Sequence, residues 1–510
     1  MIVFLAWPAI AGVALLVSAL ALWWYLAPDV ETLSRLQSKR YSLSEVVHAK
    51  LSVLRDADPS GSNRLRQILA IRKQQQHKSD KHAAEFLEKA TQAHQSRARM
   101  SVPLFFPLLT ATQKLFVLCD LDLVKWVLDD ATTFDRARTL ESFSEAFRLN
   151  SVFTTKDVKL HRDLKSFFTR HTNDLTLEAY ETMAATLQRH VDSMLSKFAG
   201  VADVPFVPKV EGMVLGAYAE SFFGMDSFPD AEECAVLIKQ IWQLKSLRNN
   251  VPLRRWSPLT WLKLRHMKNR LFCIIANAQR VLDQRRSHAA NKMAEVYASN
   301  GYEPGNLLNA LIPLYEAIAR GVVYASIELA SSPGVQTELY NEIVHHVHEE
   351  LKYCMSTETL LHRVWQETLR LHPPTPNQTR RVTTKDNVCF PYGSKVLVLW
   401  SMFHQDAEVW GSDAMEFNPG RWLGLTPQQE QHYNPFGKGV QRCVAMNYAS
   451  FGGRVMLKRL VESMIIGPRT RATTTSVMGN DRGYSRGPDP DALVLQLIGR
   501  PQGTSAQVTF

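Results

Sequence analysis

Residues 434–449, NPFGKGVQRCVAMNYA, combine a glycine-rich turn, two cations and a single cysteine. Gly437 and Gly439 allow the backbone to approach another group closely. The residues after Cys443 are typical of a helix, so the cysteine lies near a helix N-terminus, where anions are stabilised. Nearby cations and a helix start favour a thiolate over a thiol. Taken alone, the stretch fits a stabilised thiolate and a purely structural cysteine equally well.

The composition indicates a large folded body. The chain has 510 residues, an apolar fraction of 45% and a formal net charge of +10. This apolar fraction supplies a sizeable core and excludes global disorder. The basic balance favours an anionic partner, which could be nucleic acid, a membrane surface or an acidic protein. Basic residues are nowhere interleaved with aromatic ones in a strong run, so we predict no nucleic-acid partner.

The cysteines are scattered along the chain and form neither a CxxC pair nor a zinc-binding spacing. In a chain of this length the pattern argues against a disulfide framework and fits a reducing compartment. At least one cysteine could be a ligand or a nucleophile. The six are Cys119, Cys234, Cys273, Cys354, Cys389 and Cys443.

The first 28 residues contain no charged side chain and are long enough to cross a bilayer as a helix. The aromatic run at 23–25 suits the membrane interface, and the first basic residues follow it. The positive-inside rule then places the rest of the chain in the cytosol. We predict a single transmembrane anchor at 1–28 and one catalytic domain at 29–510. A cleaved signal peptide is the alternative, but the apolar run is long and lacks a basic start.

The body has mainly helical periodicity, most clearly between residues 174 and 370. KLFVLCD, from residue 114, predicts a strand, and DLVKWVLDD, which follows, predicts a helix. Short strands such as KVLVLW follow the Pro373 and Pro374 pair. No change in composition marks a linker. The fold class is therefore mainly α, with one large helix-rich domain and a small β portion.

Two further motifs are weak when taken alone. Glu367 and Arg370 are three residues apart, so on a helix they share a face and can pair. FNPGRW, which contains Arg421, places an arginine in a proline-fixed loop. Together with the cysteine loop, and in this order, these motifs resemble those of the cytochrome P450 superfamily, specifically its membrane-anchored, eukaryotic microsomal members. NPFGKGVQRCVA resembles the haem-binding loop, with Phe436, Gly439 and Cys443 at the matching positions.

The resemblance covers nearly the whole body and implies a cytochrome P450 fold. QETLRLHPP, residues 366–374, resembles the helix with the ExxR motif and its proline-rich exit. HQDAEVWG, residues 404–411, resembles the stretch that precedes the arginine loop. By this resemblance Cys443 is the axial thiolate ligand of a haem b iron. Glu367, Arg370 and Arg421 form a structural triad that holds the loop.

The resemblance also implies basic partners for the haem propionates. Arg162 lies where the family has a propionate-binding arginine, although Val158 replaces the tryptophan that usually precedes it. Arg380 or Arg381 would serve from the strand side, and of the two we take Arg381. The family usually has arginine or histidine two residues before the cysteine. Gln441 stands there in this chain, so that contact is lost or passes to Arg442.

A second departure lies in the long central helix, where the family motif delivers protons through an acid and a threonine. Counting back from IELASSPGVQ places this motif at residues 313–318, PLYEAI. Glu316 supplies the acid, but Ala317 occupies the threonine position. Protons could pass through Glu316 with water or come from a substrate hydroxyl. Alternatively, Glu316 only bonds a buried backbone group.

The resemblance implies a haem-thiolate monooxygenase that oxidises an apolar small organic molecule with O2, in hydroxylation, epoxidation or a related oxidation. Electrons would come from NADPH through NADPH–cytochrome P450 reductase, with cytochrome b5 as a further candidate partner. We expect residence in the endoplasmic reticulum membrane and a role in fungal secondary metabolite biosynthesis. Pocket walls by family analogy fall at 142–153, 311–318, 375–379 and 484–486.

Two alternatives remain open at the level of sequence. The first is a haem-thiolate enzyme with non-hydroxylating chemistry, such as desaturation, ring coupling, isomerisation or peroxide-driven oxidation, which the missing threonine favours. The second is a catalytically silent haem-binding or lipid-binding membrane protein. Lys438, Arg442, Lys458 and Arg459 could dock an acidic flavin domain, or they could be ordinary solvated charges.

Overall fold

The computed structural model describes most of the chain between residues 100 and 468, together with one C-terminal strand. The described residues are 100–104, 113–118, 121–135, 152, 155, 157–198, 204–250, 258–284, 286–302, 311–375, 377–384, 390, 392–439, 442–468 and 494–499. The predicted anchor at 1–28, Gln441, the predicted pocket wall at 142–153 apart from Val152, residue 376 of the wall at 375–379, and the wall at 484–486 lie outside these residues. Within the described part, no helix is both long and apolar enough to cross a membrane.

The described strands form two small sheets. A five-stranded sheet has the order β1-β2-β6-β5-β3, and a three-stranded sheet has the order β4-β8-β7. Only the pair β2–β6 is parallel, and it joins chain segments that are far apart in sequence. The strands are β1 Met100–Leu104, β2 Gln113–Leu118, β3 Phe134–Asp135, β4 Val204–Pro205, β5 Asn377–Val382, β6 Lys395–Leu399, β7 Met464–Pro468 and β8 Val494–Gly499.

Helices dominate the rest of the described chain, as the sequence predicts. Two 3-10 turns, Val347–Glu349 and Pro419–Leu423, interrupt them. The helices are α1 Leu121–Asp129, α2 Val158–Asn173, α3 Leu177–Ser196, α4 Phe206–Phe223, α5 Ala231–Asn250, α6 Pro258–Gln284, α7 His288–Ser299, α8 Leu311–Ser331, α9 Pro333–His345, α10 Glu350–Met355, α11 Leu360–Leu371, α12 Trp400–His404, α13 Ala407–Trp410, α14 Pro427–His432 and α15 Met446–Ser463.

The core has a large helical part and a smaller part beside the five-stranded sheet. Helices α8, α11 and α15 meet around the buried ring of Trp365. A β-carbon built at Gly321 of α8 would lie 2.5 Å from this ring, and one at Gly453 of α15 would lie 2.2 Å from it. Both distances are far below van der Waals contact, so only glycine allows the two backbones to flank the indole.

Helix α11 carries the ExxR motif, and its ends are set by local chemistry. The Thr359 hydroxyl accepts a hydrogen bond from the backbone N–H of His362 and caps the start of the helix. Apolar side chains and the motif residues share its buried face. The helix ends before Pro373, which cannot continue it because proline lacks an N–H. The Glu367 and Arg370 side chains are thus held inside the protein.

Candidate active site around the cysteine loop

The loop that carries Cys443 is closed by three backbone hydrogen bonds. The N–H of Cys443 donates to the carbonyl of Phe436, that of Gly437 to Asn434, and that of Arg442 to Gly439, each over 3.0 Å. Gly437 and Gly439 have φ angles of 73° and 79°. These left-handed values are costly for residues with a β-carbon. The glycines therefore allow the tight turn that the sequence predicts.

Both glycines also lie against other elements. A β-carbon at Gly437 would lie 2.8 Å from the Gln378 amide nitrogen of β5. One at Gly439 would lie 2.8 Å from the Leu128 carbonyl oxygen at the end of α1. The loop therefore lies between the five-stranded sheet and α1. A β-carbon at Gly439 would clash with the backbone of α1, and one at Gly437 would displace the Gln378 side chain.

The chain leaves the loop through a second anchor at Val444. Its carbonyl accepts a hydrogen bond from the Thr172 hydroxyl at 3.0 Å and another from the Asn173 amide at 3.3 Å. Both donors lie at the end of α2. Cys443 itself is exposed, and α15 begins three residues later at Met446. The cysteine thus stands between two fixed carbonyls and close to a helix start.

The structure brings Glu367, Arg370 and Arg421 together in the interior. The Arg370 guanidinium donates two hydrogen bonds of 2.8 Å to the two Glu367 carboxylate oxygens, and Arg421 Nε donates to Glu367 Oε1 at 3.3 Å. Trp422 Nε1 donates to the same carboxylate at 2.9 Å, and the backbone N–H of Asn418 donates at 3.0 Å. The carboxylate therefore accepts from two arginines, an indole and the backbone.

Arg370 also holds the segment that precedes Arg421. Its Nη1 donates to the carbonyls of His404 and Ala414, at 2.7 and 2.6 Å, and its Nη2 donates to that of Glu416 at 3.1 Å. The guanidinium also lies 5.0 Å from the centre of the Trp410 ring, within the range of a cation–π contact. The buried charge is thus matched by one carboxylate, three carbonyls and an aromatic face.

His404 links this network to the cysteine loop. Its Nε2 accepts a hydrogen bond from the backbone N–H of Asn434 at 2.9 Å, and its Nδ1 lies 3.2 Å from the Arg370 carbonyl. An N–H group can only donate, so Nε2 is unprotonated and Nδ1 carries the proton. Burial, reinforced by the Arg370 charge, lowers the pKa of His404 to about 3 and keeps the ring neutral.

A dependence of stability on pH follows from this histidine. The unfolded chain protonates its histidines near pH 6.5, whereas the pKa of folded His404 is about 3. The contribution of neutral His404 to the free energy of unfolding is therefore complete above pH 6.5. It is lost as the pH falls towards 3, by about 1.4 kcal/mol per pH unit. Burial lowers the pKa of His362 to about 4, which adds a second such loss between pH 6.5 and 4.

Chemical denaturation at pH 7, 6 and 5 measures this slope. His404→Gln is expected to reduce it by the amount of one proton. His348→Gln serves as the control, because His348 is exposed. Equal slopes for His404→Gln and the wild type would contradict the assignment.

Comparison with known proteins identifies the family. The sequence profile of the cytochrome P450 family matches residues 83–468, more than half of the chain. The chain belongs to the cytochrome P450 family.

Similar proteins include a cytochrome P450 of Caenorhabditis elegans, which is 30% identical over 157 residues, or 29% of this chain and 30% of the relative. Cytochrome P450 714C1 of Oryza sativa is 36% identical over 114 residues, 21% and 23% of the two chains. A cytokinin hydroxylase of Arabidopsis thaliana is 30% identical over 110 residues, 21% and 22% of the two chains. Each aligned segment spans less than a third of the relative's length.

The residues of this P450 fit the haem that the family implies. Cys443 presents an exposed thiol. It lies on a turn in which the two positions packed closely against other elements are both glycine. The Arg381 Nε is buried and has no hydrogen-bond acceptor among the described residues. An unsatisfied buried donor costs free energy, and a carboxylate such as a haem propionate would satisfy it. Cys443 would hold the iron, and Arg381 would reach a propionate only from the face of β5 opposite Gln378, the residue that lies against the cysteine loop.

The other predicted propionate partners have different surroundings. Arg380 is buried on β5, and the alternation of the strand places it on the face of Gln378, the residue that lies against Gly437. Arg162 is 73% exposed on α2 and lies 3.8 Å from Asp163. Arg442 is exposed and donates to the Met446 sulfur at 3.0 Å. The propionate roles of all four arginines remain predictions.

Glu316 and Ala317 lie in the first part of α8, and both are half-buried. Each turn of α8 beyond them contributes to the core: Gly321 lies against Trp365, and Ser326 bonds back to the Val322 carbonyl at 2.8 Å. The acid is therefore carried by a helix whose later turns are firmly packed. Its role in proton delivery stays a prediction.

The predicted docking surface of this P450 needs a correction. Lys458 is buried and pairs with Glu350 and with Glu462, the latter at 3.1 Å. Arg459 forms ion pairs with Asp192 at 2.7 Å and with Glu462 at 3.0 Å. Neither cation is a free surface charge. Their position in sequence, more than three turns into α15, did not distinguish a buried amphipathic side chain from an exposed one.

Sequence reasoning also missed contributors to the site. The family resemblance covered HQDAEVWG without assigning a role to His404, and it gave no role to Thr172. A histidine at the start of a motif shared with the family was a usable signal. Thr172 carried none, because its partner is a backbone carbonyl about 270 residues away.

Proposed function

We propose that this protein is a haem-thiolate monooxygenase that inserts one oxygen atom of O2 into an apolar small organic molecule. The observation that carries the proposal is the exposed Cys443 on a turn fixed at both ends by hydrogen-bonded carbonyls, in a chain of the cytochrome P450 family. When bound, a thiolate-ligated haem supplies the activation of O2. The protein holds the thiolate, excludes water and positions the substrate.

The proposal extends to location and partners. Residues 1–28 would anchor the protein in the endoplasmic reticulum membrane with the body in the cytosol, as their uncharged apolar sequence suggests. Electrons would come from NADPH through NADPH–cytochrome P450 reductase, with cytochrome b5 as a second donor. Of the four cations proposed for docking, Lys438 and Arg442 remain candidates after the correction above. A place in secondary metabolite biosynthesis is part of the same proposal.

The neighbours of Cys443 in the chain favour a charged sulfur. The chain enters α15 three residues later, so the N–H groups of the first helical turn, which have no acceptor within the helix itself, lie close in sequence to the cysteine. The positive end of the helix dipole stabilises a neighbouring anion by about 0.3–1 kcal/mol. Arg442, directly before the cysteine, adds a cation. Both effects favour the thiolate as the ligand.

The test of the ligand role is Cys443→Ser. The reduced carbonyl complex of the wild type is expected to absorb at about 450 nm, the signature of thiolate ligation. The serine variant is expected to lose this band and its oxygenase activity, since serine has no thiolate. Cys273→Ser is the matched control, because Cys273 is also exposed but lies on α6. A band at the same position in Cys443→Ser would refute the proposal.

The Glu316 carboxyl is proposed to carry protons from solvent into the substrate pocket. Glu316→Gln keeps the size of the side chain but removes the acid, so turnover is expected to fall about 100-fold, the usual contribution of a positioned acid. Glu295→Gln, an exposed change on α7, is the control. Adding Ala317→Thr to Glu316→Gln should restore part of the turnover. Unchanged turnover and coupling in Glu316→Gln would contradict the role.

A second function is favoured by Ala317, which leaves the proton-delivery position without its usual alcohol. Catalysis could then end in desaturation, ring coupling or isomerisation, or it could use peroxide. Products formed under ¹⁸O2 with NADPH and a reductase separate the cases, because monooxygenation places one labelled atom in the product. Turnover with peroxide alone would favour the alternative.

A further inference from the structure

We propose that His404 is a positioning residue for Cys443: its neutral imidazole fixes the start of the cysteine loop to the end of α11. This inference rests on the proposed function only in taking Cys443 as the iron ligand. It assigns no contact between His404 and the haem or the substrate.

Both ring nitrogens of His404 form hydrogen bonds to the backbone. Nδ1–H donates to the Arg370 carbonyl at 3.2 Å, and Nε2 accepts from the Asn434 N–H at 2.9 Å. The backbone carbonyl of His404 in turn accepts from Arg370 Nη1 at 2.7 Å. His404 and Arg370 therefore exchange two hydrogen bonds, and this leaves the ring little freedom to rotate.

The path from Asn434 to the cysteine is short. The Asn434 carbonyl accepts from Gly437, and two residues after Asn434 the Phe436 carbonyl accepts from the Cys443 N–H. Pro435 lies between them and restricts the backbone. Movement of Asn434 would thus displace the carbonyl that holds the cysteine amide.

The Arg370 end of the hydrogen-bonded link through His404 is rigid. Arg370 is fixed by Glu367 and by the Ala414 carbonyl, and its side chain is fully buried. The salt-bridge network around Arg370 therefore reaches the cysteine loop through the histidine ring. A plain core histidine would need only to fill space between Trp400 and Tyr433, whose ring centres lie 6.4 and 5.6 Å away.

Two substitutions separate the link from simple packing. In glutamine the amide oxygen is as many bonds from the backbone as Nε2 of histidine, so His404→Gln can still accept from Asn434. In asparagine the amide nitrogen matches Nδ1, so His404→Asn can donate to Arg370 but does not reach Asn434. A packing role predicts similar defects for both variants, whereas the link predicts a clear difference.

The first readout is amide hydrogen exchange at Asn434, measured on full-length protein with haem bound. Pro435 has no amide hydrogen, which makes the signal of Asn434 easier to assign. Exchange is expected to be about tenfold faster in His404→Asn than in His404→Gln, the factor that corresponds to one lost hydrogen bond. Equal exchange in both variants would overturn the proposal, whether or not they are as stable as the wild type.

The second readout is the reduced carbonyl spectrum. His404→Asn should lose the band at about 450 nm several-fold faster than His404→Gln, because its thiolate ligation is lost more readily. Phe134→Leu, a volume loss in the small core beside the sheet, controls for loosened packing. A wild-type protein without the band would refute the proposed function alone. A wild-type band with equal conversion rates in the two histidine variants would refute the role of His404 alone.

Discussion

Arg370→Ala is expected to lower the free energy of unfolding by about 3–5 kcal/mol, the usual cost of removing one partner of a buried ion pair. Glu367 is fully buried, and it would keep only Arg421 as a charged partner, at 3.3 Å. The carbonyls of His404 and Ala414 would also lose their donor. Urea denaturation of the haem-bound protein, together with its haem content, measures the effect.

The matched control for Arg370→Ala is an exposed ion pair between α10 and the residue just before this helix. Lys352 and Glu349 form an ion pair at 3.1 Å with the same three-residue spacing, but both side chains are more than half exposed. Lys352→Ala should therefore cost less than about 1 kcal/mol. If the two alanine variants lost similar stability, burial would not be the origin of the Arg370 effect.

Gly453→Ala is expected to destabilise the protein by about 1–3 kcal/mol through overpacking against Trp365. The new methyl group would overlap the ring at 2.2 Å, and the ring cannot retreat because Gly321 lies against it from another helix. Thermal or urea unfolding of the purified protein reports the loss. Trp365→Phe should relieve the overlap in the double variant, since a smaller ring fits.

Two features make this test specific. The Trp365 Nε1 has no hydrogen-bond acceptor among the described residues, so phenylalanine sacrifices no bond found there. Gly334 on α9 has no atom within 4 Å of the position of a new β-carbon. Gly334→Ala should therefore stabilise the helix by about 0.5–1 kcal/mol. A tolerated Gly453→Ala, or a double variant worse than the single one, would contradict the packing account.

Local sequence patterns predicted the helix-rich body and several elements. The apolar pattern of KLFVLC corresponds to β2, and the amphipathic run after it to α1. The i, i+3 spacing of Glu367 and Arg370 predicted a pair, and the structure shows one. The glycines in the cysteine loop predicted close backbone approaches, which occur at Gln378 and Leu128.

Contacts between distant segments could not be predicted from local patterns. Gly321, Trp365 and Gly453 are unremarkable in their own helices, and only the crossing of three helices reveals why two are glycine. Lys458 resembles any helical surface lysine until Glu350 is brought to it from another helix. For His404 the residue type was visible, but both partners are backbone groups, which every residue possesses.

Because β2 pairs with β6, which lies much later in the chain, this pair can form only after most of the chain has been synthesised. Strand β2 ends at Leu118, and its partner begins at Lys395, so synthesis of roughly 280 residues separates them. At 5–20 residues per second the nascent chain waits on the order of 15–55 s with one edge of the β1–β2 hairpin unpaired. An unpaired edge can bind other strands. Residues 113–118 are therefore where we expect chaperones to protect the growing chain.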